Sequence, residues 1–248
     1  MLQRYIQEIE KRFHFLLEHE ADKLKSISSK VSHAIQRGGI IQLFGCGHSH
    51  MIGEEVFYRA GGLVPIKPIF EESLMLHQGA IRSSQLERQH DYAQTFLENQ
   101  DIREEDVVFV VSTSGKNPVP IDVALYAKEK GAYVVAICSF DYPKTEQAKH
   151  TSGLFLQQVV DEAIHNYSVI GDAVLTHPKV KVPFAPTSTV IGTTIINGII
   201  AEAIEMMAED GFTPPIFLSG NVQGADEHNR SLIDNYSSRI PLLLQGIE

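Results

Sequence analysis

Gly39-Ile40-Ile41-Gln42-Leu43-Phe44-Gly45-Cys46-Gly47-His48-Ser49-His50 and Asp106-Val107-Val108-Phe109-Val110-Val111-Ser112-Thr113-Ser114-Gly115-Lys116-Asn117 are the two stretches whose reading decides the fold. In each, a short apolar run of buried-strand character passes into a turn of glycines and hydroxyl residues, and a helix-forming segment follows. The first turns of a helix leave backbone N–H groups without partners, and a strand–turn–helix directs them at one spot beyond the strand's carboxyl end. That spot suits an anion, a phosphate above all. Two such turns in one sheet predict a single anion gripped from two sides.

Working outward, strands are expected at 39–44, 63–70, 106–111, 132–138 and near 153–160. Helices are expected over 2–37, near 49–60, over 118–130 and over 187–209, the last stopped by Gly211 and Pro214-Pro215. Pro65 and Pro68 make the second strand short or an edge. Residues 73–100 are polar and helix-prone, an excursion suited to capping a site. Strands alternating with helices imply an α/β fold with a doubly wound parallel sheet, whose sites lie at the carboxyl ends of strands. The 248 residues read as one domain, with an N-terminal helical arm (1–37) and a C-terminal tail (212–248).

Composition removes several classes of function. With 43% hydrophobic residues the chain can build a sizeable core, while a formal net charge of −10 argues against nucleic acid or an anionic membrane as partner. A bound phosphate must therefore be held by local dipoles and hydroxyls. Cys46 and Cys138 are too few for a disulfide framework and favour reduced thiols in the cytoplasm. The N-terminus lacks the apolar core of a signal peptide, and no run reads as membrane-spanning. The amphipathic first helix and the apolar cluster Ile240-Pro241-Leu242-Leu243-Leu244 predict a homo-oligomer.

The first turn alone invites other readings. Gly45-x-Gly47, with Glu71 or Glu72 at the distance of a ribose-binding acid, approaches a dinucleotide fingerprint, but its third glycine would fall at His50. Gly47-His48-Ser49-His50-Met51 approaches a nucleophile elbow, which needs glycine where Met51 stands. Cys46, His48 and His50 alternate across a tight turn, an awkward arrangement for one metal ion. Neither cofactor nor metal is expected. Ser112-Thr113-Ser114 could cap the following helix, but one hydroxyl suffices for that.

Taken together, Gly45-Cys46-Gly47-His48-Ser49 and Ser112-Thr113-Ser114-Gly115 resemble the paired turns of the SIS (sugar isomerase) family of phosphosugar-binding domains. Pro186-Thr187-Ser188-Thr189 resembles the segment that completes that family's pocket, and the arm and tail resemble those of a group of bacterial single-domain SIS proteins. The resemblance implies that Ser49, Ser112, Thr113 and Ser114 hold a sugar phosphate, with Gly47, Asn117 and Ser188 in the binding set. Asn117 stands where many members carry threonine or serine. The resemblance leaves the reaction open among aldose–ketose isomerisation, etherase chemistry on N-acetylmuramic acid 6-phosphate, and sensing without turnover. An isomerase needs a base between adjacent sugar carbons, for which Glu71 and Glu72 are the candidates, and help with ring opening, for which His228 is the candidate.

Overall fold

The computed structural model describes residues 1–246. Five strands, β1 (Ile41–Gly45), β2 (Ile66–Pro68), β3 (Val107–Val111), β4 (Tyr133–Cys138) and β5 (Glu162–His165), form one sheet in the order β2-β1-β3-β4-β5. Every pairing is parallel. All residues of β1 and β3 are buried. That is what a parallel strand covered by helices on both faces requires, and it explains their unbroken apolar runs.

On one face lie α2 (Ala21–Gln36), α3 (His50–Val56) and α7 (Ser188–Glu209), whose Ile27, Val31, Ile52 and Ile195 close over Leu43 and Phe109. On the other face, α6 (Pro118–Glu129) and the segment 92–102 bring Ala124 and Phe96 against Phe44, Val108 and Val110. A third cluster sits at the amino ends of β1 and β2, where Ile40 and Val64 meet Phe217, Ile240 and Leu243.

Several elements differ from the sequence expectation. The N-terminal arm is two helices, α1 (Leu2–His19) and α2, because the chain bends at Glu20 (φ −116°, ψ −6°). Glu20 is buried and its carboxylate is held by Lys23 at 2.7 Å. The bend carries α1 to the segment before α7, where the Tyr5 hydroxyl donates to the Pro186 carbonyl at 2.6 Å. The fifth strand is not at 153–160. There Leu156 gives its N–H to the Gly115 carbonyl and turns its side chain into the core, so a single 3-10 turn forms at Leu156–Gln158 and pairing resumes at 162–165. The excursion opens with two 3-10 turns, Glu72–Leu74 and Leu76–Gln78, and continues with two short helices, α4 (Ala80–Leu86) and α5 (Gln94–Leu97). An antiparallel hairpin, β6 (Leu175–His177) and β7 (Val180–Phe184), precedes α7, and the tail carries α8 (Ala225–Tyr236). Helix α7, 22 residues long with an 18-residue stretch of mean hydropathy 1.4, passes the length and composition test for a membrane span, a test that a buried core helix passes equally. Here eight of its residues pack into the protein.

Candidate functional site

The sheet order places the two turns side by side. Strands β1 and β3 are neighbours with Gly45 opposite Val111, so Cys46 and Ser112 leave the sheet together, about 5 Å apart. From there α3 departs over one face and α6 over the other. This divergence makes the crevice between β1 and β3 the topological switch point, where ligands of open α/β sheets bind.

The first turn needs its glycines. A Cβ on Gly45 would stand 2.5 Å from the Ser49 carbonyl carbon and 2.6 Å from its oxygen, so only glycine lets the chain fold back. Gly47 has φ +55° and opens a 3-10 turn, Gly47–Ser49, which Ser49 closes by donating its N–H to the Cys46 carbonyl at 3.0 Å. His50 Nδ1 bonds the Gly47 carbonyl. Cys46 is buried, and burial with the charge of Glu87 pushes its thiol well above the ordinary range, so it stays protonated.

In the second turn Gly115 sits at φ +59° and gives its N–H to Ser112 Oγ at 3.3 Å. Three carbonyls of this turn are engaged by the next layer of chain. Thr113 accepts from Ser139 N–H at 2.9 Å, Gly115 from Leu156 at 2.8 Å, and Lys116 from Lys149 at 2.7 Å. With these three carbonyls committed, the hydroxyls of the turn are the groups suited to receive an anion. Ser49, Thr113 and Ser114 are half-exposed, while Ser112 and Asn117 are buried. Lys116 is drawn aside by Glu146 at 3.2 Å.

The other predicted residues are more dispersed. Ser188 begins α7, but its hydroxyl donates to Asp172 Oδ2 at 2.5 Å. The Asp172 carboxylate also accepts the N–H groups of Thr187 (3.0 Å) and Ser188 (3.1 Å), so this helix terminus already holds an anion of the chain itself. Glu71 and Glu72 diverge. Glu71 accepts from the Tyr92 hydroxyl at 3.0 Å, whereas Glu72 is exposed and faces a cleft of about 870 Å³ shared with His50 and His77. His228, on α8, bonds through Nε2 to the Ile216 carbonyl at 2.9 Å, and α8 packs on the cluster at the amino ends of β1 and β2. Within one chain it lies at the end of the sheet opposite the turns.

Two groups that composition did not single out as site residues complete the surroundings. Asp172 secures the start of α7, and Glu87 lies at the start of α6, its carbonyl accepting the Val119 N–H at 3.4 Å and its carboxyl raised in pKa by burial. No local motif flags either, because each meets its partner only across the fold.

Comparison with known proteins supports the family and the fold. The model of the SIS domain matches residues 4–139. A UPF0309 protein of Geobacillus thermodenitrificans is 60% identical over 248 residues, the full length of both chains. A UPF0309 protein of Listeria innocua is 54% identical over 243 residues, covering 98% of each. Among solved structures, phosphoheptose isomerase of Neisseria gonorrhoeae aligns with a TM-score of 0.53 at 13% identity, over 84% of this chain and 97% of that one. A putative phosphosugar isomerase of Silicibacter pomeroyi aligns with a TM-score of 0.51 at 17% identity, over 82% and 50% respectively. A parallel sheet with this order, its two glycine–hydroxyl turns at the switch point and a family match across more than half of the chain lead to one conclusion: the protein belongs to the SIS domain family.

Proposed function

We propose that the crevice between β1 and β3 binds a phosphorylated sugar or amino sugar, and that the protein isomerises it by moving a proton between adjacent carbons. The observation that carries the binding half is the register of Gly45 with Val111, which puts Ser49 and the Ser112–Ser114 run on either side of one gap. The phosphate would accept from the hydroxyls of Ser49, Ser112, Thr113 and Ser114 and from the amides of the two turns, with Gly47 giving close backbone approach. The start of α6 adds its dipole, since a net charge of −10 supplies no general attraction. In the isomerase reading a carboxylate, Glu71 or Glu72, takes the proton from the carbon beside the sugar carbonyl, an enediol forms, and the proton returns to the neighbouring carbon. Because His228 stands at the opposite end of its own chain's sheet, its part in ring opening requires a second copy that presents α8 to this crevice. This makes the expected homo-oligomer part of the chemistry. Buried free thiols at Cys46 and Cys138 suit a reducing cytoplasm.

The separation of Glu71, Glu72 and His228 within one chain favours a second reading, a sugar-phosphate sensor without turnover. Incubation with a panel of sugar phosphates in deuterated water separates the two. An isomerase incorporates deuterium at C2, and the double variant E71Q/E72Q loses it. A sensor is stabilised thermally by its ligand and exchanges nothing. Full exchange in the double variant would remove both carboxylates from the role of base. As a check on the shared site, mixing E71Q/E72Q with H228N subunits should recover part of the activity that each lacks alone.

A further inference from the structure

A second group of reactive side chains lies outside the crevice. His150 and Ser152 stand in the loop between β4 and β5, and Asp122 stands on α6. Ser152 Oγ is 2.7 Å from His150 Nδ1, and His150 Nε2 is 2.9 Å from Asp122 Oδ1. A backbone amide fixes which atoms carry the protons. The Ser152 N–H donates to His150 Nδ1 at 3.1 Å, and an N–H can only donate, so Nδ1 presents its lone pair. The proton of the neutral ring is then on Nε2, which gives it to the Asp122 carboxylate. An unprotonated nitrogen 2.7 Å from a hydroxyl is its acceptor, so the Ser152 hydroxyl hydrogen points at Nδ1. The Leu154 N–H donates to the same Oγ at 3.2 Å, from where it would steady negative charge on that oxygen. Nucleophile, base and carboxylate thus stand in series, with each proton placed for the serine to lose its own.

The loop closes without this hydroxyl, through the Ser152 N–H to the ring and the Gly153 N–H to the His150 carbonyl at 3.0 Å. Exposure is graded along the series. The His150 side chain is 9% exposed and that of Asp122 24%, while Ser152 is exposed. The turn is uncrowded beside the serine, since a Cβ on Gly153 would meet nothing within 4 Å. We propose that Ser152 is a nucleophile for acyl transfer from small activated esters, with His150 as its base and Asp122 as a positioning residue. Oγ attacks the ester carbonyl carbon, and its proton passes to His150 Nδ1. The bond from that carbon to the leaving oxygen breaks, and the leaving group departs with this proton or as an anion, the proton then going to water. The acyl group stays on Ser152 until a water molecule, deprotonated by the same Nδ1, releases it as the carboxylic acid. Asp122 holds the ring by Nε2–H and offsets the charge that appears on it. An exposed turn suits a donor that brings its own good leaving group. None of the three residues belongs to the crevice, so this activity stands or falls independently of the phosphosugar site.

The test gives the full chain p-nitrophenyl acetate at pH 7, follows p-nitrophenolate by absorbance and locates the acetylated peptide by mass spectrometry. Acetylation is expected at Ser152, and S152A should lose it together with the fast phase of p-nitrophenolate release. H150A should slow it about 100-fold, the scale of a general base. If H150A fails to fold, H150Q serves, because a glutamine oxygen can accept the Ser152 N–H but is not a base. D122N offers an oxygen to Nε2–H without the charge, so it should react about tenfold more slowly at an unchanged melting temperature, and D122E should recover part of the loss. A carboxylate that only braced the loop would leave the D122N rate unmoved. Should the acetyl group leave Ser152 too fast to collect, a fluorophosphonate, which loses fluoride to form a lasting phosphonyl ester, should mark Ser152 in the wild type far faster than in H150A. Acetylation of Ser152 at the same rate in the wild type, D122N and the His150 variant would reduce it to an exposed hydroxyl and overturn the proposal. S152A releasing p-nitrophenolate as fast as the wild type would do so too, as would a wild type that neither reagent marks at Ser152.

Discussion

Gly45 shows how little freedom single residues have in the first turn. Replacing it with alanine puts a methyl group within 2.6 Å of the Ser49 main chain, and main chain cannot give way as a flexible side chain can. G45A should therefore abolish thermal stabilisation by sugar phosphates, whereas H48A, altering an exposed residue of the same turn, should retain it. Glu87 poses a different problem. Its pKa is raised by burial, so the folded protein binds its proton more tightly than the unfolded chain does. Stability then falls as pH rises from the unfolded carboxyl value through the folded one, and the cost persists above both. E87Q is accordingly expected to melt at a higher temperature than the wild type at pH 7, with the gap closing toward pH 4.

At the scale of elements, legibility in the sequence follows how locally each element is determined. β1 and β3 are continuous apolar runs, α6 starts at Pro118 and α7 is apolar over six turns, so their own residues specify them. The edge elements are otherwise. β5 is four residues long and pairs only through β4, the 153–160 run is claimed by a bond to Gly115, and α8 is a polar helix that forms where Leu232 and Ile233 find Ile40 and Val64. The candidate site divides along the same line. The turn residues lie within a few positions of the glycines that shape them, whereas Glu87 and Asp172 act on parts of the chain that only the fold brings near. The start of α7 offers a measurement at this scale. Asp172 accepts two backbone N–H groups and the hydroxyls of Thr187 and Ser188, so D172A should cost about 1–2 kcal/mol in denaturant unfolding, the range of a lost helix cap.

Over the whole molecule, the tail is fastened at the end of the sheet far from the turns. Asp106, fully buried before β3, accepts from Ile40 N–H at 2.9 Å, Gln42 Nε2 at 2.9 Å, Arg103 N–H at 3.0 Å and Arg239 Nη2 at 2.7 Å. R239A would leave that carboxylate without the one cation that pairs with it among the described residues, and a destabilisation of about 3–5 kcal/mol is expected in equilibrium unfolding. One consequence of the β1–β3 register remains. The two sides of the crevice are joined by consecutive rungs of a parallel ladder in the centre of the sheet, so the gap between them has the spacing of adjacent strands and cannot widen without breaking those rungs. The jaws cannot open and close on their ligand. Adaptation to different sugars is left to what borders the gap: the 73–100 excursion, which also holds Glu87, and whatever a second copy presents. Hydrogen exchange would display this division directly, with β1 and β3 slow whether or not ligand is bound and the added protection confined to the border.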